Sequence, residues 1–454
     1  MTLKVSISGV RGIYGETLTD EIIKKFGIAY ARLTGGGTIL VGSDTRQSGV
    51  QVKEALFRGL HFNDKVKIID VGCLPTPTVQ VIAKAMGADG AVIITASHNP
   101  RQWNGLKFVR PDGIFLPPDE AQKLITFYEQ VSAEDLAKTK EGRLAVETDL
   151  DAGNIHLEKI KKMIDIDLIK SAGLRVVIDT CCGAGSVITK KLLDQLGVEY
   201  LQVNGEPDIE KCDRSLEPTA ENIGKLGQKV REFKADIGFA QDPDADRLAI
   251  LDENGTAIGE DYTLCLIAEY MLELCKSGKI SGENKICTNL STTRIIDDVA
   301  AKFGAEVVRT KIGEVNVSLA MKKTKAVTGG EGNGGIMVPS VGFGRDSLCG
   351  IALLLQYLAG SKKKVSELVN GNPRYYMYKT KIDCTSDQQV ADTLAKIKTK
   401  YAAEKLDTQD GIKVIFADGN WLHVRSSNTE PIIRIIAEAE TLEKSKTLAE
   451  NALK

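Results

Sequence analysis

Apolar residues along this chain form two patterns, short continuous runs typical of buried strands and three- or four-residue spacings typical of helices. Three times, a predicted strand is followed by an amphipathic helix and a second strand. The strand pairs fall at residues 38–41 and 66–71, at 175–179 and 198–203, and at 285–290 and 305–310, and Gly197 and Gly304 end two of the intervening helices. This order predicts βαβ units in parallel or mixed sheets, an α/β fold.

Each repeat continues with a further helix and a third strand, and unusual polar residues follow that third strand. The third strands and the residues after them occupy 91–97, 236–242 and 326–331. Open α/β sheets bind ligands beyond the carboxyl ends of their strands. We therefore expect three strand ends to contribute to one composite active site.

The pattern changes at about residue 372. Strands are predicted at 375–384, 412–417, 422–425 and 432–437, with an Asp418-Gly419 hairpin signal and two helices. This segment predicts a smaller α+β domain after three similar α/β domains. The expected boundaries give four domains, at 1–152, 153–254, 255–369 and 370–454.

Composition narrows the function classes. The chain has 454 residues, 59 Lys and Arg against 61 Asp and Glu, and a formal net charge of -2, so it has no general attraction to nucleic acid or anionic membranes. No apolar run reaches the roughly 18 residues that a membrane span needs, and no signal peptide is expected. The nine cysteines include no CxxC pair, and there are only four histidines, which makes a zinc cluster unlikely and favours reduced thiols in a cytoplasmic protein.

The first chemical motif is Thr95-Ala-Ser-His-Asn-Pro100, followed by Asn104-Gly-Leu-Lys107. It places many hydrogen-bonding groups in a turn after an apolar strand. Ser97 in such a turn is a candidate nucleophile or phosphoryl carrier, and His98 and Lys107 are candidates for moving protons or offsetting charge. The alternative is a capping turn, since these residue types are common in turns.

The second motif, Asp242-Pro-Asp244-Ala-Asp246-Arg247, places three carboxylates at alternate positions. In extended backbone such side chains point the same way, and their repulsion favours a hard cation such as Mg²⁺ among them. A calcium loop of EF-hand type also matches at Glu253, its twelfth position. We reject it because Arg247 stands where the sixth position needs glycine, and because strands flank the loop instead of helices. A solvated acidic turn is the remaining alternative.

Two further loops offer groups that bind a sugar phosphate. The glycine-dense loop at 329–335 lets backbone approach a ligand closely and presents Glu331 and Asn333 to hydroxyl groups. The loop at 425–431 offers a guanidinium, hydroxyls and successive backbone N–H groups, which suit a phosphate dianion. From the residues alone, a flexible linker and a plain β-turn stay open as alternatives. Near the N-terminus, Arg11 offers a fixed positive charge.

In their order and spacing, these four motifs resemble those of the α-D-phosphohexomutases, the superfamily of phosphoglucomutase, phosphomannomutase and phosphoglucosamine mutase. The resemblance runs from Val10-Arg11-Gly12 to the last domain, so it covers essentially the whole chain. It implies an isomerase, an intramolecular phosphotransferase with four domains around a central cleft. In chain order, the implied domains carry the phosphoserine, the metal, the sugar-recognition loop and the phosphate-binding loop.

The resemblance also implies the role of each site residue. Ser97 would be the phosphoserine and, with Asp242, Asp244 and Asp246, would hold Mg²⁺, while Arg247 borders the metal. The remaining roles are proton transfer and charge balance for His98, Lys107 and Arg11, sugar binding for Glu331 and Asn333, and phosphate binding for Arg425, Ser427, Asn428 and Thr429. The implied reaction interconverts hexose 1-phosphate and hexose 6-phosphate through a hexose 1,6-bisphosphate, which also acts as activator.

The sugar loop departs from the family pattern. Many relatives have Gly-Glu-x-Ser-Gly-His, whereas Asn333 and Gly335 replace the Ser and the His here. No acid/base or phosphate-contact role is therefore carried over to position 335. Pro243 replaces a common Gly, and Ser426 replaces a common Pro or Ala. The loops are most similar to those of phosphoglucosamine mutases, but glucosamine, mannose and glucose phosphates all stay candidate substrates.

Two other functions stay open. The aspartates alone permit a metal-dependent sugar phosphatase, and a relative without catalysis would bind or sense phosphosugars. The expected partner is a small phosphosugar, with no nucleic acid and no membrane. Neither the choice between monomer and homodimer nor the phosphorylation state of Ser97 follows from the sequence.

Overall fold

The chain forms two compact units, each built from strands and helices. The computed structural model describes residues 3–6, 9–139, 144–384, 386–426 and 432–452. The first unit comprises Met1–Thr263 and Asn333–Leu368, and the second comprises Leu264–Gly332 and Val369–Lys454. The first unit holds more than one sheet, and the division into four domains stays a prediction.

The first unit opens with a seven-stranded mixed sheet. Its strands are β1 (Lys4–Ser6), β2 (Gly9–Ile13), β3 (Gly37–Ser43), β4 (Val66–Cys73), β5 (Gly90–Ile94), β6 (Trp103–Val109) and β7 (Val146–Thr148), in the spatial order β1-β2-β6-β5-β3-β4-β7. Strands β5, β3, β4 and β7 run parallel, and β6 returns antiparallel between β5 and β2. The turn expected at residues 104–107 is therefore wrong, because these residues lie within β6.

The helices of this part cover the sheet. They are α1 (Asp20–Thr34), α2 (Gly49–Leu60), α3 (Thr76–Ala85), α4 (Pro118–Glu129) and α5 (Ala133–Ala137). Helix α1 begins where the Thr19 side chain accepts a hydrogen bond from the backbone of Ile22, and it ends at Gly35, whose φ of 73° suits glycine. Its buried face, which includes Ile23 and Phe26, joins the core of the sheet.

A second sheet of four strands follows in the same unit. The elements are α6 (Gly153–Lys161), α7 (Ile166–Ser171), β8 (Arg175–Asp179), α8 (Gly185–Leu196), β9 (Glu199–Val203), a 3-10 turn (Ile209–Lys211), α9 (Gly224–Phe233), β10 (Ile237–Gln241) and β11 (Leu248–Leu251). The spatial order is β11-β10-β8-β9, with β11 antiparallel to β10 and the other pairs parallel. Every residue of β10 is buried, so the loop after it begins from a fixed strand.

The next stretch of chain contains the third repeat. Its elements are α10 (Glu260–Lys276), β12 (Glu283–Asn289), α11 (Ile295–Phe303), β13 (Glu306–Thr310), α12 (Glu314–Thr324), β14 (Ala326–Glu331), β15 (Gly335–Met337), α13 (Ser347–Ser361) and α14 (Val365–Asn370). In the second unit, β12 pairs parallel with both β13 and β14. In the first unit, α13 begins where the Asp346 side chain accepts from the backbone of Leu348 and Cys349.

The second unit ends with an antiparallel sheet and two helices. These elements are β16 (Tyr376–Asp383), α15 (Asp387–Lys400), β17 (Lys405–Asp407), β18 (Ile412–Ile415), β19 (Trp421–Ser426), β20 (Ile432–Ala439) and α16 (Leu442–Ala452). The spatial order is β16-β20-β19-β18-β17, and apolar residues of the strands and helices form its core. The α+β prediction for this segment is confirmed.

The predicted fold class is confirmed. The three repeats are β3-α2-β4, β8-α8-β9 and β12-α11-β13, and each places its two strands in parallel. Among the described residues, no helix combines the length and the apolar character that a membrane crossing requires.

Helix α2 packs closely against helix α1 at Gly59, and this close packing leads to a stability prediction. A Cβ at Gly59 would lie 2.3 Å from the Lys24 carbonyl oxygen, whereas a Cβ at Gly49, the first residue of the same helix, meets nothing within 4 Å. Gly59→Ala therefore forces the helices apart and lowers the free energy of unfolding by about 1–3 kcal/mol. Gly49→Ala is the control and changes it by less than about 0.5 kcal/mol. Urea unfolding followed by circular dichroism measures both, and equal midpoints would contradict the close crossing.

Candidate active site

Ser97 lies in a strained turn directly after the buried strand β5. Its φ is 51°, a left-handed conformation that side chains other than glycine rarely adopt. The turn is held by Thr95, whose hydroxyl accepts from the Ser97 backbone N–H at 2.9 Å and donates to Asp44 Oδ2 at 2.6 Å. Strain of this kind persists only where the surroundings fix the backbone. The structure thus places the predicted Ser97 side chain at a fixed point.

Arg46 supplies most of that fixation, and the sequence analysis missed it. Its buried guanidinium pairs with Asp44 at 3.1 Å. It also donates, over 2.5 to 3.1 Å, to five carbonyl oxygens around the serine turn, those of Ser97, Asn99, Pro100, Arg101 and Trp103. Arg46 follows β3 in a loop with no recognisable motif. Its partners are about fifty residues away, so no local pattern identified it.

The three predicted aspartates converge in the loop between β10 and β11. All three are buried, and one oxygen of each lies within 4.8 Å of the others. Two unit charges at that separation repel by about 3 kcal/mol at an effective dielectric constant of roughly 20. Burial, reinforced by the charges of Asp246 and Asp244, raises the pKa of Asp242 well above its usual value.

Asp242 is held by the backbone and by the serine. Its Oδ1 accepts from the backbone N–H groups of Asp246 and Arg247, both at 3.1 Å. Its Oδ2 accepts from Ser97 Oγ at 3.0 Å, which joins the first sheet to the second. The predicted pairing of Ser97 with this loop is therefore present.

Asp244 and Asp246 each keep one oxygen bonded and one without a partner. Asp244 Oδ2 accepts from Thr76 Oγ1 at 2.5 Å and from Lys107 Nζ at 2.7 Å, and Asp246 Oδ2 accepts from Arg345 at 2.5 Å. Among the described residues, Asp244 Oδ1 and Asp246 Oδ1 are buried without a hydrogen-bond partner. Buried orphan carboxylate oxygens beside a serine hydroxyl are the donor set that Mg²⁺ takes. The residues fit that ion.

The other predicted residues of the first unit surround this cluster. Lys107 lies 2.7 Å from Asp244 and 3.4 Å from Asp246, and although burial opposes its charge, the two carboxylates raise its pKa. Arg11 donates to Asn99 Oδ1 at 2.7 Å, in the turn that carries Ser97. His98 Nδ1 lies 3.3 Å from Ser97 Oγ, and burial, helped by the charge of Arg247, lowers the pKa of His98 to about 3.

Arg247 and Glu253 each have a side-chain partner outside the three aspartates. Arg247 donates to Glu217 Oε1 at 2.6 Å. Glu253, the residue that matched a calcium loop, accepts from the Ser366 hydroxyl at 2.5 Å and is not part of the carboxylate group. The structure therefore brings together Ser97, His98, Lys107, Arg11, Arg247 and the three aspartates.

The second unit holds a different polar site. Glu331 ends β14, is 5% exposed, and accepts from Asn289 Nδ2 at 2.9 Å and from the Gly313 N–H at 3.2 Å. Arg425 lies on β19, where burial lowers its pKa and the charges of Asp410 and Glu331 oppose that shift. Its Nε has no partner among the described residues.

Asn333 belongs to the first unit, where its Oδ1 accepts from the Gly335 N–H at 3.2 Å. Ser427, Asn428 and Thr429 lie outside the described residues.

His423, which the sequence analysis did not single out, ties β19 to the third repeat. Its Nδ1 lies 2.8 Å from Ser291 Oγ, and its Nε2 lies 2.6 Å from the Asp410 carbonyl oxygen. Nearby, the buried Lys413 donates to the Leu290 carbonyl at 2.6 Å. These bonds fix the strand that carries Arg425 against the loop after β12.

Comparison with known proteins identifies the class. Four family models match in chain order: Phosphoglucomutase/phosphomannomutase alpha/beta/alpha domain I at residues 3–135, domain II at 154–255, domain III at 259–376 and the C-terminal domain at 380–454. The chain therefore belongs to the phosphoglucomutase/phosphomannomutase family of phosphohexomutases, which are isomerases.

Individual relatives cover nearly the whole chain. A phosphoglucomutase/phosphomannomutase of Thermococcus kodakarensis is 38% identical over 98% of this chain and 96% of its own length. A protein named "Probable phosphoglucosamine mutase" from Methanopyrus kandleri is 35% identical over 97% of this chain and 95% of its own length. The crystal structure of a phosphoglucomutase/phosphomannomutase family protein from Burkholderia thailandensis superposes with a TM-score of 0.83 at 27% identity, over 99% of this chain and 98% of that one.

The carboxylate cluster gives a metal-binding prediction. In wild type, Mg²⁺ at about one hundred times its dissociation constant adds roughly 2.7 kcal/mol to the free energy of unfolding. Asp242→Asn retains the hydrogen bonds of the loop but removes a charge, so we expect this Mg²⁺ effect to disappear while the metal-free protein loses no stability. Thermal unfolding with and without Mg²⁺ measures it.

Asp70→Asn serves as the control, because Asp70 pairs with Lys53 at 2.9 Å outside the cluster. This variant should keep the full Mg²⁺ effect. A Mg²⁺ effect that survives in Asp242→Asn would show that the cluster does not bind the ion.

Proposed function

We propose that this chain interconverts hexose 1-phosphates and hexose 6-phosphates through a phosphorylated Ser97 and a hexose 1,6-bisphosphate. The observation that carries the proposal is the position of Ser97 Oγ, 3.0 Å from Asp242 Oδ2 in a cluster with two orphan carboxylate oxygens. A serine held at a cation site is suited to carry a phosphoryl group, because the charge on the transferring oxygens must be neutralised.

The proposed transfer begins with the phosphoryl group on Ser97. The bond between phosphorus and Oγ breaks as a bond to the free sugar hydroxyl forms, and the proton that the hydroxyl gives up ends on Ser97 Oγ. His98 is placed to take part in that proton transfer, because its Nδ1 lies 3.3 Å from Oγ. When the bisphosphate binds in the opposite orientation, its other phosphoryl group is transferred to Ser97. The isomerised monophosphate then leaves.

The positively charged groups around the aspartates balance the negative charge during this transfer. Mg²⁺, held by Ser97 and the three aspartates, supplies Lewis-acid stabilisation of the phosphoryl oxygens when it is bound. Lys107 keeps its proton between two carboxylates, and Arg11 is fixed on the serine turn. Arg247, fixed by Glu217, borders the same group. Positioned positive charges of this kind stabilise a phosphoryl transition state without reorganising.

The second unit is proposed to hold the rest of the substrate. Glu331 is suited to bind sugar hydroxyls, and the family resemblance assigns the same role to Asn333 of the first unit. Arg425, whose Nε has no partner in the described part of the chain, is suited to bind the phosphate that does not react, together with Ser427, Asn428 and Thr429. A separate phosphate site allows one sugar to bind in two orientations, which a 1,6-isomerisation requires.

We further propose an amino sugar phosphate as the preferred substrate. The Gly-Glu-Gly-Asn-Gly-Gly loop and the Ser-Asn-Thr-Glu-Pro loop favour this branch. The name of the Methanopyrus relative agrees with it, whereas the Thermococcus relative is named for glucose and mannose. A panel of glucosamine, mannose and glucose 1-phosphates decides between them by the rate at which each 6-phosphate forms.

Ser97→Ala tests the function itself. Loss of the acceptor oxygen should abolish 1-phosphate to 6-phosphate conversion, while Ser171→Ala, a change at the end of α7, leaves it intact. Intact-mass spectrometry after incubation with a hexose 1,6-bisphosphate should show one added phosphoryl group on wild type and none on Ser97→Ala.

Two outcomes would support the other functions. Free phosphate released by Ser97→Ala as fast as by wild type would show a metal-dependent phosphatase. Binding of phosphosugars with no turnover in wild type, in the presence of Mg²⁺ and bisphosphate, would show a protein that only binds them.

Arg425→Met tests the phosphate-binding role. A charge-assisted hydrogen bond contributes about 1.5–3 kcal/mol, so the KM for the sugar phosphate should rise about 10- to 100-fold. Steady-state kinetics measure this, with Arg374→Met as control, since that exposed arginine donates to Asn370 Oδ1 at 2.8 Å. An unchanged KM in Arg425→Met would contradict the assignment.

A further inference from the structure

Each of the three aspartates is oriented by a different set of groups. The backbone holds Asp242, and Thr76 with Lys107 holds Asp244. Asp246 Oδ2 receives a bond of 2.5 Å from Arg345 Nη2 and a longer one of 3.4 Å from Lys107 Nζ. Arg345 is thus the principal partner of the third carboxylate.

Gly335 provides the space in which the Arg345 side chain lies. A Cβ built at position 335 would stand 2.2 Å from Arg345 Cδ and 2.9 Å from its Cγ. The backbone of Gly335 does not require glycine, since its φ lies outside the left-handed region. A larger residue here would therefore collide with the Arg345 side chain and lie 3.1 Å from Asn333 Oδ1, at the position where many relatives carry the sugar-loop histidine.

The backbone beside Arg345 is anchored on both sides of the loop. The Asp346 N–H donates to the Ile336 carbonyl at 2.8 Å, and the Asp346 carboxylate begins α13. The same carboxylate lies 2.8 Å from His156 Nε2, and His156 Nδ1 lies 2.9 Å from Thr78 Oγ1. These bonds fix the backbone from which the Arg345 side chain extends. The bond to Asp246 then fixes the guanidinium, and such support is what orienting a carboxylate requires.

From these contacts we infer that Arg345 is a positioning residue of the cation site. By binding Asp246 Oδ2, it leaves Asp246 Oδ1 available to the ion. We also infer that position 335 is glycine because a larger side chain would displace Arg345. The inference deepens the proposed function and rests on it, since it names a further residue of the same site. Without Arg345, Asp246 is free to rotate toward Lys107, and an oxygen is lost from the ion. The guanidinium charge itself is offset by its bond to the carboxylate.

The experiment measures cation binding separately from catalysis. Mn²⁺ alone is titrated into the metal-free protein by calorimetry, and the Mg²⁺ concentration for half-maximal isomerase activity is measured in parallel. Loss of a residue that orients a metal ligand weakens binding about 10- to 100-fold, so we expect that loss in Arg345→Ala. Arg345→Lys, which keeps the charge, should recover part of it.

Gly335→Ala supplies an independent variant that changes no charged group. It should weaken Mn²⁺ binding as Arg345→Ala does, because its methyl group displaces the arginine. In the Arg345→Ala background the same change should add little, since the atoms it collides with are gone. Arg175→Met is the matched control. Arg175 is the first residue of β8 and pairs with Glu199 at 3.0 Å, so this change should leave Mn²⁺ binding unchanged.

The outcomes separate this inference from the proposed function. Unchanged or tighter Mn²⁺ binding in Arg345→Ala would overturn the positioning role, since a merely repulsive charge gives tighter binding when removed. Additive effects of Gly335→Ala and Arg345→Ala would overturn the role assigned to Gly335. Wild type that binds no Mn²⁺ would instead contradict the cation site on which the proposed function depends.

Discussion

Three buried carboxylates repel one another in the first unit, and the structure around them must offset that repulsion. Asp242, Asp244 and Asp246 each place an oxygen within 4.8 Å of the others, a separation that positive charge or backbone donors must offset. The partners that provide this come from separate elements: Lys107 from β6, Arg345 from the loop before α13. The cluster therefore draws remote stretches of chain to one point, and the unpartnered oxygens that remain are those suited to a divalent ion.

The strained serine turn follows the same principle, because a local conformation is maintained by a distant charge. Ser97 has a φ of 51°, and Arg46 binds five carbonyl oxygens around it. Those bonds tie the carbonyl groups of the turn to one buried guanidinium, so the surroundings hold the backbone in its strained conformation. As a result Ser97 Oγ is held beside Asp242, 3.0 Å from its Oδ2.

The second unit contains a different combination of polar groups. Glu331 is oriented by an amide and a backbone N–H, and Arg425 stands on a strand tied down by His423. A carboxylate with an arginine suits hydroxyls and a phosphate, whereas clustered carboxylates suit a metal ion. The two units thus carry different sets of polar groups, and in the proposed function each set binds a different part of the substrate.

The hydrophobic pattern by itself determined the βαβ repeats and the C-terminal α+β sheet, because burial of one helix face and of whole strands is a local property. The motifs also singled out Ser97, the three aspartates, Glu331 and Arg425 as candidate site residues, because their order and spacing match those of the family. Only the tertiary structure revealed Arg46 and Arg345, whose partners lie 51 to 57 and 99 residues away, and the burial of Lys107 in a strand. A charged residue is stable in such places only when long-range pairing offsets its desolvation, and local sequence does not record that pairing.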